Sequence, residues 1–504
     1  MNVQEKMKEL FQAWGRISDV SRARALLEWD QETVMPPSGI PHRAQVLATL
    51  SGLAHEKLTS PETGEILAFL EERKEELDPL EKAHLREAAR AREKAVKIPR
   101  DLVERMSRAT SLGLEAWKRA RERADFSLFL PHLKEILDLK REESRCLGGG
   151  GDGKDLYDPL LDDYEPGMTS ARLEELFSGL QGPLSALAAR VRESGRRVDL
   201  SPFQGDLDPE AQLAFGRKVL EAMGFDFRAG RIDRAVHPFC SGHGPGDVRI
   251  TWRYSRTDIR PALFGLVHEG GHALYEQGLD PALDRTPAGG AASLGVHESQ
   301  SRLWENLVAR SLPFWEGFAP VLEKALPRRK GPADPEALFR AAGEVRPSLI
   351  RVEADEVTYN LHILLRFRLE RELLSERLSL PDLPAAWNDL SEELLGVRPG
   401  NDAEGVLQDI HWAMGALGYF PTYTLGNLYA AHLFEAARRD LPDLEEGFRK
   451  RELLPLREWL REKIHRHGSV LPPERLVTEA AGAPPSPEAL LAHLENKVSV
   501  IYGA

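Results

Sequence analysis

A mainly α-helical fold is what this sequence predicts, and three features lead there. Apolar residues recur at helical spacing over most of the chain. Charged runs such as Leu80-Glu81-Lys82-Ala83-His84-Leu85-Arg86-Glu87-Ala88-Ala89-Arg90 read as solvated helix faces, and only one segment alternates convincingly as a strand should. With 504 residues of which 42% are hydrophobic, the chain can bury an extensive core.

Residues 1 to about 145 are helical throughout in pattern. The stretch Gly148 to Lys154 comes close to a phosphate-binding loop. However, Asp155 stands where a Ser or Thr hydroxyl would hold magnesium, and a helix precedes it where a strand is needed, so a mobile loop without nucleotide is expected. Helical periodicity resumes near Ser170. Val248-Arg249-Ile250-Thr251-Trp252-Arg253-Tyr254 alternates apolar and polar residues and predicts a strand, which as a sheet edge would hold an extended peptide. The next helix has Asp258 or Thr257 to cap it, Pro261 in its first turn, an apolar stripe of Leu263, Leu266, Val267, Ala273 and Leu274, and Gly278 to stop it. Further helices are expected to begin near Ser293 and near Ser348, with Pro-rich breaks around 379–384 and 484–487 and no internal repeat.

Charge and cysteine content exclude several classes. A net charge of −13 and a pI near 5.7 oppose binding to nucleic acid or an anionic membrane. Cys146 and Cys240 are the only cysteines and lie far apart, which fits a reducing compartment and indicates neither a disulfide framework nor a cysteine-rich metal site. The first residues lack the plan of a signal peptide and no run is long and apolar enough for a membrane span, so a cytoplasmic protein is expected.

The chemistry concentrates in His268-Glu269-Gly270-Gly271-His272. On a helix the two imidazoles lie on one face about 6 Å apart, so both can reach one ion at the roughly 2.0–2.1 Å that zinc requires. Glu269, about 100° around the axis, cannot easily share that ion but can take a proton from a water beside it. The glycine pair costs up to about 2 kcal/mol of helix propensity relative to Ala, which close approach by substrate or a neighbouring helix would explain. For the third ligand, Tyr275 and Gly278 break the extended metzincin motif and leave a downstream carboxylate. Glu298 is one candidate, although Glu298 and Arg302 also have the spacing of an ordinary surface pair. His297, Glu276 and Asp280 compete, with Glu276 a turn too far along the axis.

Segments spread along the chain resemble the carboxypeptidase Taq family of zinc carboxypeptidases. They are Trp29-Asp30-Gln31 with Met35-Pro36, Asp162-Asp163-Tyr164-Glu165-Pro166-Gly167, His237-Pro238-Phe239, Asp247-Val248-Arg249-Ile250-Thr251, the zinc helix and His297-Glu298-Ser299-Gln300-Ser301-Arg302. Further on come Ile350-Arg351, Ala354-Asp355, Thr358-Tyr359, His362, Gly405, Gln408-Asp409-Ile410-His411-Trp412 and Tyr419-Phe420-Pro421-Thr422-Tyr423.

The resemblance implies a zincin-like helical body with a deep groove and a small sheet beside it. It further implies one catalytic domain over 1–504 with N-terminal helices as a roof and a zinc core at about 235–430, and a homodimer. It implies Zn²⁺, with Co²⁺ as a working substitute, held by His268, His272 and Glu298, and release of single residues from the C-termini of short peptides, broadly but poorly at proline. Glu269 is then the general base. His411, Tyr423 and His237 are candidate oxyanion donors. Arg351, with Arg249 in reserve, is the candidate for the substrate carboxylate, although Arg351 and Asp355 also stand at ion-pair spacing. Asp355, Asp409 and Asp247 are candidates to support the imidazoles. The competing readings are a zinc oligopeptidase or endopeptidase using the same site, and a helical scaffold in which the histidine pair is passive.

Overall fold

The chain enters its first helix through a capping box: Asn2 Oδ1 accepts from the Glu5 amide at 2.8 Å, and the Glu5 carboxylate accepts from the Asn2 amide at 3.0 Å. This is α1, Val3–Thr33, in a computed structural model that describes residues 2–151 and 153–503. Helices α2 (Ile40–Thr59), α3 (Pro61–Glu72), α4 (Pro79–Lys97), α5 (Arg100–Arg123) and α6 (Leu130–Cys146) follow, as the periodicity predicts. The glycine-rich stretch is made of turns, with Gly148, Gly150 and Gly153 at positive φ and Asp155 paired to Arg371; Asp152 lies outside the described residues. After α7 (Asp158–Leu161), Thr169 accepts from the Arg172 amide to start α8 (Ser170–Glu193), and α9 (Pro209–Met223) leads into the sheet.

That sheet corrects one expectation. Strands β1 (Gly230–Arg234), β2 (Cys240–Gly242) and β3 (Val248–Trp252) take the order β1-β3-β2, with β3 parallel to β1 and antiparallel to β2. The strand read as an edge is therefore central, and β1 and β2 form the edges. Its polar Thr251 is not a sign of a solvated face, because it is fully buried with its hydroxyl accepting from the Phe239 amide at 2.8 Å.

Helix α10 (Arg260–Gly278) packs on β3, with Pro261 in its first turn and Asp258 Oδ1 accepting from the Arg260 amide at 2.9 Å. Ser293, as expected, caps α11 (Leu294–Arg302), accepting from the Val296 amide at 2.9 Å, and α11 runs on into a π-helical turn over Leu303–Ala309. Then come α12 (Leu312–Ala325), α13 (Pro335–Ala342), α14 (Thr358–Leu374), α15 (Leu383–Leu395) and α16 (Pro421–Asp440). Last are α17 (Leu444–Lys450), α18 (Leu454–Lys463), α19 (Pro473–Ala481) and α20 (Glu488–Tyr502).

No helix begins near Ser348. Arg351 lies in a short 3-10 turn, Arg351–Glu353, and α14 starts only where Asp355 accepts from the Val357 and Thr358 amides at 2.9 Å. The cap uses the carboxylate that spacing had offered to Arg351.

The chain divides into two compact units. One comprises Met1–Val96, Asp199–Ala342 and Leu433–Pro484 and has a core built on Trp304, Trp315, Phe203, Phe215 and Phe314. The other comprises Lys97–Val198, Gly343–His432 and Pro485–Ala504. There the buried Glu370 accepts from Tyr157 Oη at 2.8 Å and Trp412 Nε1 at 2.9 Å, and burial pushes its carboxyl up to about 7. Among the described residues no helix is long and apolar enough to cross a membrane.

Candidate metal centre

Helices α10 and α11 approach closely because α10 carries glycine where they meet. A Cβ on Gly271 would stand 2.6 Å from the Gln300 carbonyl oxygen and 2.7 Å from Ser301 Cα, both backbone atoms of α11. On Gly270 it would meet Leu220 of α9 at 2.3 Å. The propensity cost of the pair thus has a packing cause, the approach of neighbouring helices.

That approach brings His268, His272 and Glu298 together, with one potential ligand atom from each inside 4.8 Å of the others. Glu298 Oε2 lies 3.4 Å from His272 Nε2 and 3.8 Å from His268 Nε2. Ligand atoms on a tetrahedral ion with bonds of roughly 2.0–2.1 Å stand about 3.3 Å apart, close to the two carboxylate–imidazole separations found here, so the group can close on one cation. The outer ring nitrogens support the same conclusion. His268 Nδ1 donates to Glu305 Oε2 at 2.9 Å, and His272 Nδ1 lies 3.1 Å from the His297 carbonyl oxygen and 2.6 Å from His297 Nδ1. With Nδ1 as the protonated donor in each ring, both Nε2 lone pairs point toward Glu298, where a metal would use them.

The rivals for the third position are engaged elsewhere. His297 Nε2 donates to Glu276 Oε1 at 2.9 Å, so both form a chain behind His272, and Asp280 caps a short turn by accepting from the Ala282 amide. Glu298 and Arg302 do pair, at 2.6 Å, but as a buried contact at the triad rather than as a solvated surface pair.

Electrostatics separates the acids by environment. Burial pushes the Glu269 carboxyl up to about 7; His268 pulls against the rise and Glu298 adds to it. Burial would raise Glu298 too, yet Arg302 and His268 outweigh it and hold Glu298 well below the usual carboxylate range. Burial also lowers His272 to about 4, whereas the Glu298 and Glu305 carboxylates outweigh burial at His268 and raise it.

None of the three aspartates expected to support the imidazoles does so. Asp355 caps α14, Asp409 pairs with Arg351 and Arg366, and Asp247 pairs with Arg249 at 2.8 Å. Glu305 takes that place on His268. Its position seven residues, or two helical turns, beyond Glu298 was the available signal.

The remaining sequence candidates lie in two places. In the first unit, His237 is exposed in the loop between β1 and β2, next to Pro238, whose Cγ lies 3.9 Å from where a Cβ on Gly265 of α10 would stand, one turn before His268. Arg249 packs its guanidinium 4.4 Å from the centre of the Trp29 ring. In the second unit, His411 Nε2 lies 3.2 Å from Tyr423 Oη, and burial lowers His411 to about 4, so that the ring is neutral. Arg351 is 5% exposed, donates to Asp409 Oδ1 through Nε at 3.0 Å and Nη2 at 2.8 Å, and stands 5.0 Å from the Tyr423 ring centre. Arg366, fully buried, shares the same Asp409.

Comparison with known proteins identifies what the whole chain is similar to. Residues 9–498 match the family model for the carboxypeptidase Taq (M32) metallopeptidases. Thermostable carboxypeptidase 1 of Thermus thermophilus is 46% identical over 487 residues, covering 95% of each chain. The protein of the same name from Pyrococcus furiosus is 41% identical over 482 residues, again covering 95% of each. A crystal structure of the M32 carboxypeptidase from Deinococcus radiodurans R1 superposes with a TM-score of 0.95 at 38% identity, covering 99% of this chain and 100% of that one.

Proposed function

The chain belongs to the carboxypeptidase Taq (M32) family of metallopeptidases and is a metallocarboxypeptidase, and we propose that His268, His272 and Glu298 are the residues that hold its metal. The observation that carries this is the convergence of their three ligand atoms within 4.8 Å at the contact of α10 and α11. Zn²⁺ is the cation we assign, with Co²⁺ as substitute, because two imidazoles and one carboxylate form the donor set of open catalytic zinc sites. When bound, such a cation supplies Lewis acidity to the attacking water and the scissile carbonyl.

The protein's own groups do the rest. Glu269 follows His268 directly in α10, and burial gives it a proton affinity near neutrality, which suits a group that must both accept and release a proton. It takes the proton of the attacking water and passes it to the leaving amine. His411, Tyr423 and His237 are the proposed donors to the developing oxyanion. The neutral His411 ring hydrogen-bonded to Tyr423 supports the first two, since neither side chain has to lose a charge to donate.

Arg351 is the proposed partner of the substrate carboxylate. Two guanidinium groups on one Asp409 leave an excess positive charge in a largely buried cluster, which favours an incoming anion. Arg249 is less suited, since Asp247 takes it bidentately and Trp29 stacks on it. We further propose release of single residues from short peptides with broad tolerance but little action at proline, one catalytic domain, a homodimer, and a cytoplasmic location in keeping with the unpaired Cys146 and Cys240.

Digestion of one peptide with and without chelator, read by mass spectrometry, tests this reading. Single residues lost in sequence from the C-terminus, only in the presence of metal, are expected; dipeptides or internal fragments would instead identify an oligopeptidase.

A further inference from the structure

The two oxygens of Glu298 have different partners. Oε2 faces the imidazoles, 3.4 Å from His272 Nε2 and 3.8 Å from His268 Nε2, whereas Oε1 accepts from Arg302 Nε at 2.6 Å, one helical turn along. Arg302 Nη1 also stands 3.6 Å from Glu305 Oε2, the oxygen that receives the His268 Nδ1 proton at 2.9 Å. The other oxygen of Glu305 accepts from Arg310 Nη2 at 2.8 Å, and Arg310 is anchored in turn through Nη1 to the Ala342 carbonyl at 2.8 Å. Directly after Arg302 the helix opens into the π turn Leu303–Ala309, a feature frequent at functional sites, and Glu305 lies within it.

We propose that Arg302 is a positioning residue that restricts Glu298 to single-oxygen ligation. A carboxylate free at both oxygens can rotate and chelate a cation, which closes the position the hydrolytic water needs. The guanidinium donates to one oxygen, Oε1, and opposes that rotation. By also facing Glu305, it couples the third ligand to the acid that orients His268. The buried location separates this contact from a solvated pair: Glu298 is 7% exposed and the Arg302 side chain 14%. This inference rests on the reading of Glu298 as a metal ligand.

The test uses the full-length protein loaded with Co²⁺, whose visible absorption weakens as its coordination number rises. Arg302→Gln is expected to weaken and shift that absorption, to change metal affinity by about 10- to 100-fold in chelator competition, and to lower kcat more than it changes KM. Arg302→Lys, which keeps the charge without the planar fork, should fall between it and the unaltered protein. It also serves as the deciding variant if Arg302→Gln does not fold. A folded Arg302 variant whose Co²⁺ spectrum superimposes on that of the unaltered protein overturns the proposal. Glu298→Gln distinguishes the two levels of the argument. It should fail to hold a stoichiometric metal; if it keeps both affinity and spectrum, the ligand assignment itself falls, whereas loss of metal there beside an unchanged Arg302→Gln spectrum removes only the role of Arg302.

Discussion

Glu269 and Glu298 are both glutamates in one small site, and their surroundings drive them in opposite directions. Burial dominates at Glu269 and raises it to about 7, while Arg302 and His268 overcome burial at Glu298 and keep it ionised. On the proposed reading, a proton carrier and a charged ligand thus arise from the same side chain. Glu269→Gln is expected to lower kcat by at least 10²-fold, the scale of general acid–base catalysis, while metal content measured by atomic absorption stays stoichiometric; turnover near that of the unaltered enzyme would remove Glu269 from the mechanism. Arg351 allows an equally direct test. Arg351→Ala should harm cleavage of a free-acid peptide far more than that of its C-terminal amide, and equal losses on both would exclude recognition of the carboxylate. At this scale the sequence was legible wherever chemistry follows local spacing, as in His268, Glu269 and His272. It was not legible where partners are remote: Arg351 meets Asp409, 58 residues away, rather than Asp355, four residues away. Glu305 went unread although it stands two helical turns beyond Glu298, because that spacing puts it on the same face without saying that the face, through the π turn, meets His268 of α10.

Elements were legible where a cap or periodicity marked them and misread where a hydrogen bond hid polarity. Ser293 and Pro261 fell where their chemistry places helix starts, and periodicity alone located the start of α8 near Ser170, but the buried hydroxyl of Thr251 made a central strand resemble an edge. The contact of α10 with α11 is the element-scale feature on which the site depends most. Gly271→Ala drives a methyl into the α11 backbone, which cannot yield as a side chain can, so a loss above the usual 1–3 kcal/mol of overpacking is expected, together with weakened metal binding. Gly270→Ala meets only the mobile ends of Leu220 and Met223 and should be milder; denaturant titration of both variants checks the order. A second contact ties α4 to the segment ahead of α11. The Ala288 amide donates to His84 Nδ1 at 3.2 Å, which requires a neutral ring, and burial lowers His84 to about 4 against the pull of Asp78 and Glu81. Because the folded value lies below the unfolded one, the unfolded chain binds more protons between about pH 6.5 and 4. Stability from this group is complete above that window and is lost as pH falls through it. His84→Gln, whose amide oxygen can still accept, should therefore lose less stability between pH 7 and 5 than the unaltered protein, and parallel losses in denaturant melts would refute the link.

For the molecule as a whole, helical class followed from periodicity alone, because a chain with so little alternation has no other way to bury its apolar stripes. The division into two units did not, since each is assembled from three separated stretches of sequence. Both helices of the proposed metal site, α10 and α11, belong to the first unit, so a cation held by His268, His272 and Glu298 would cross-link two helices that the unfolded chain leaves free of one another. Binding to the folded state alone adds stability as RT ln(1 + [L]/Kd), about 2.7 kcal/mol when free metal exceeds Kd a hundredfold. Chelator should consequently lower Tm and abolish peptidase activity together, and stepwise return of Zn²⁺ should raise Tm with the logarithm of its free concentration. His272→Ala should make Tm insensitive to the metal, because one imidazole and one carboxylate no longer enclose a cation. Scanning calorimetry of the two proteins across a buffered metal series decides the matter. If Tm of the unaltered enzyme does not move while its metal content rises from none to one per chain, the cation does not join α10 to α11, and the ligand set must be sought elsewhere.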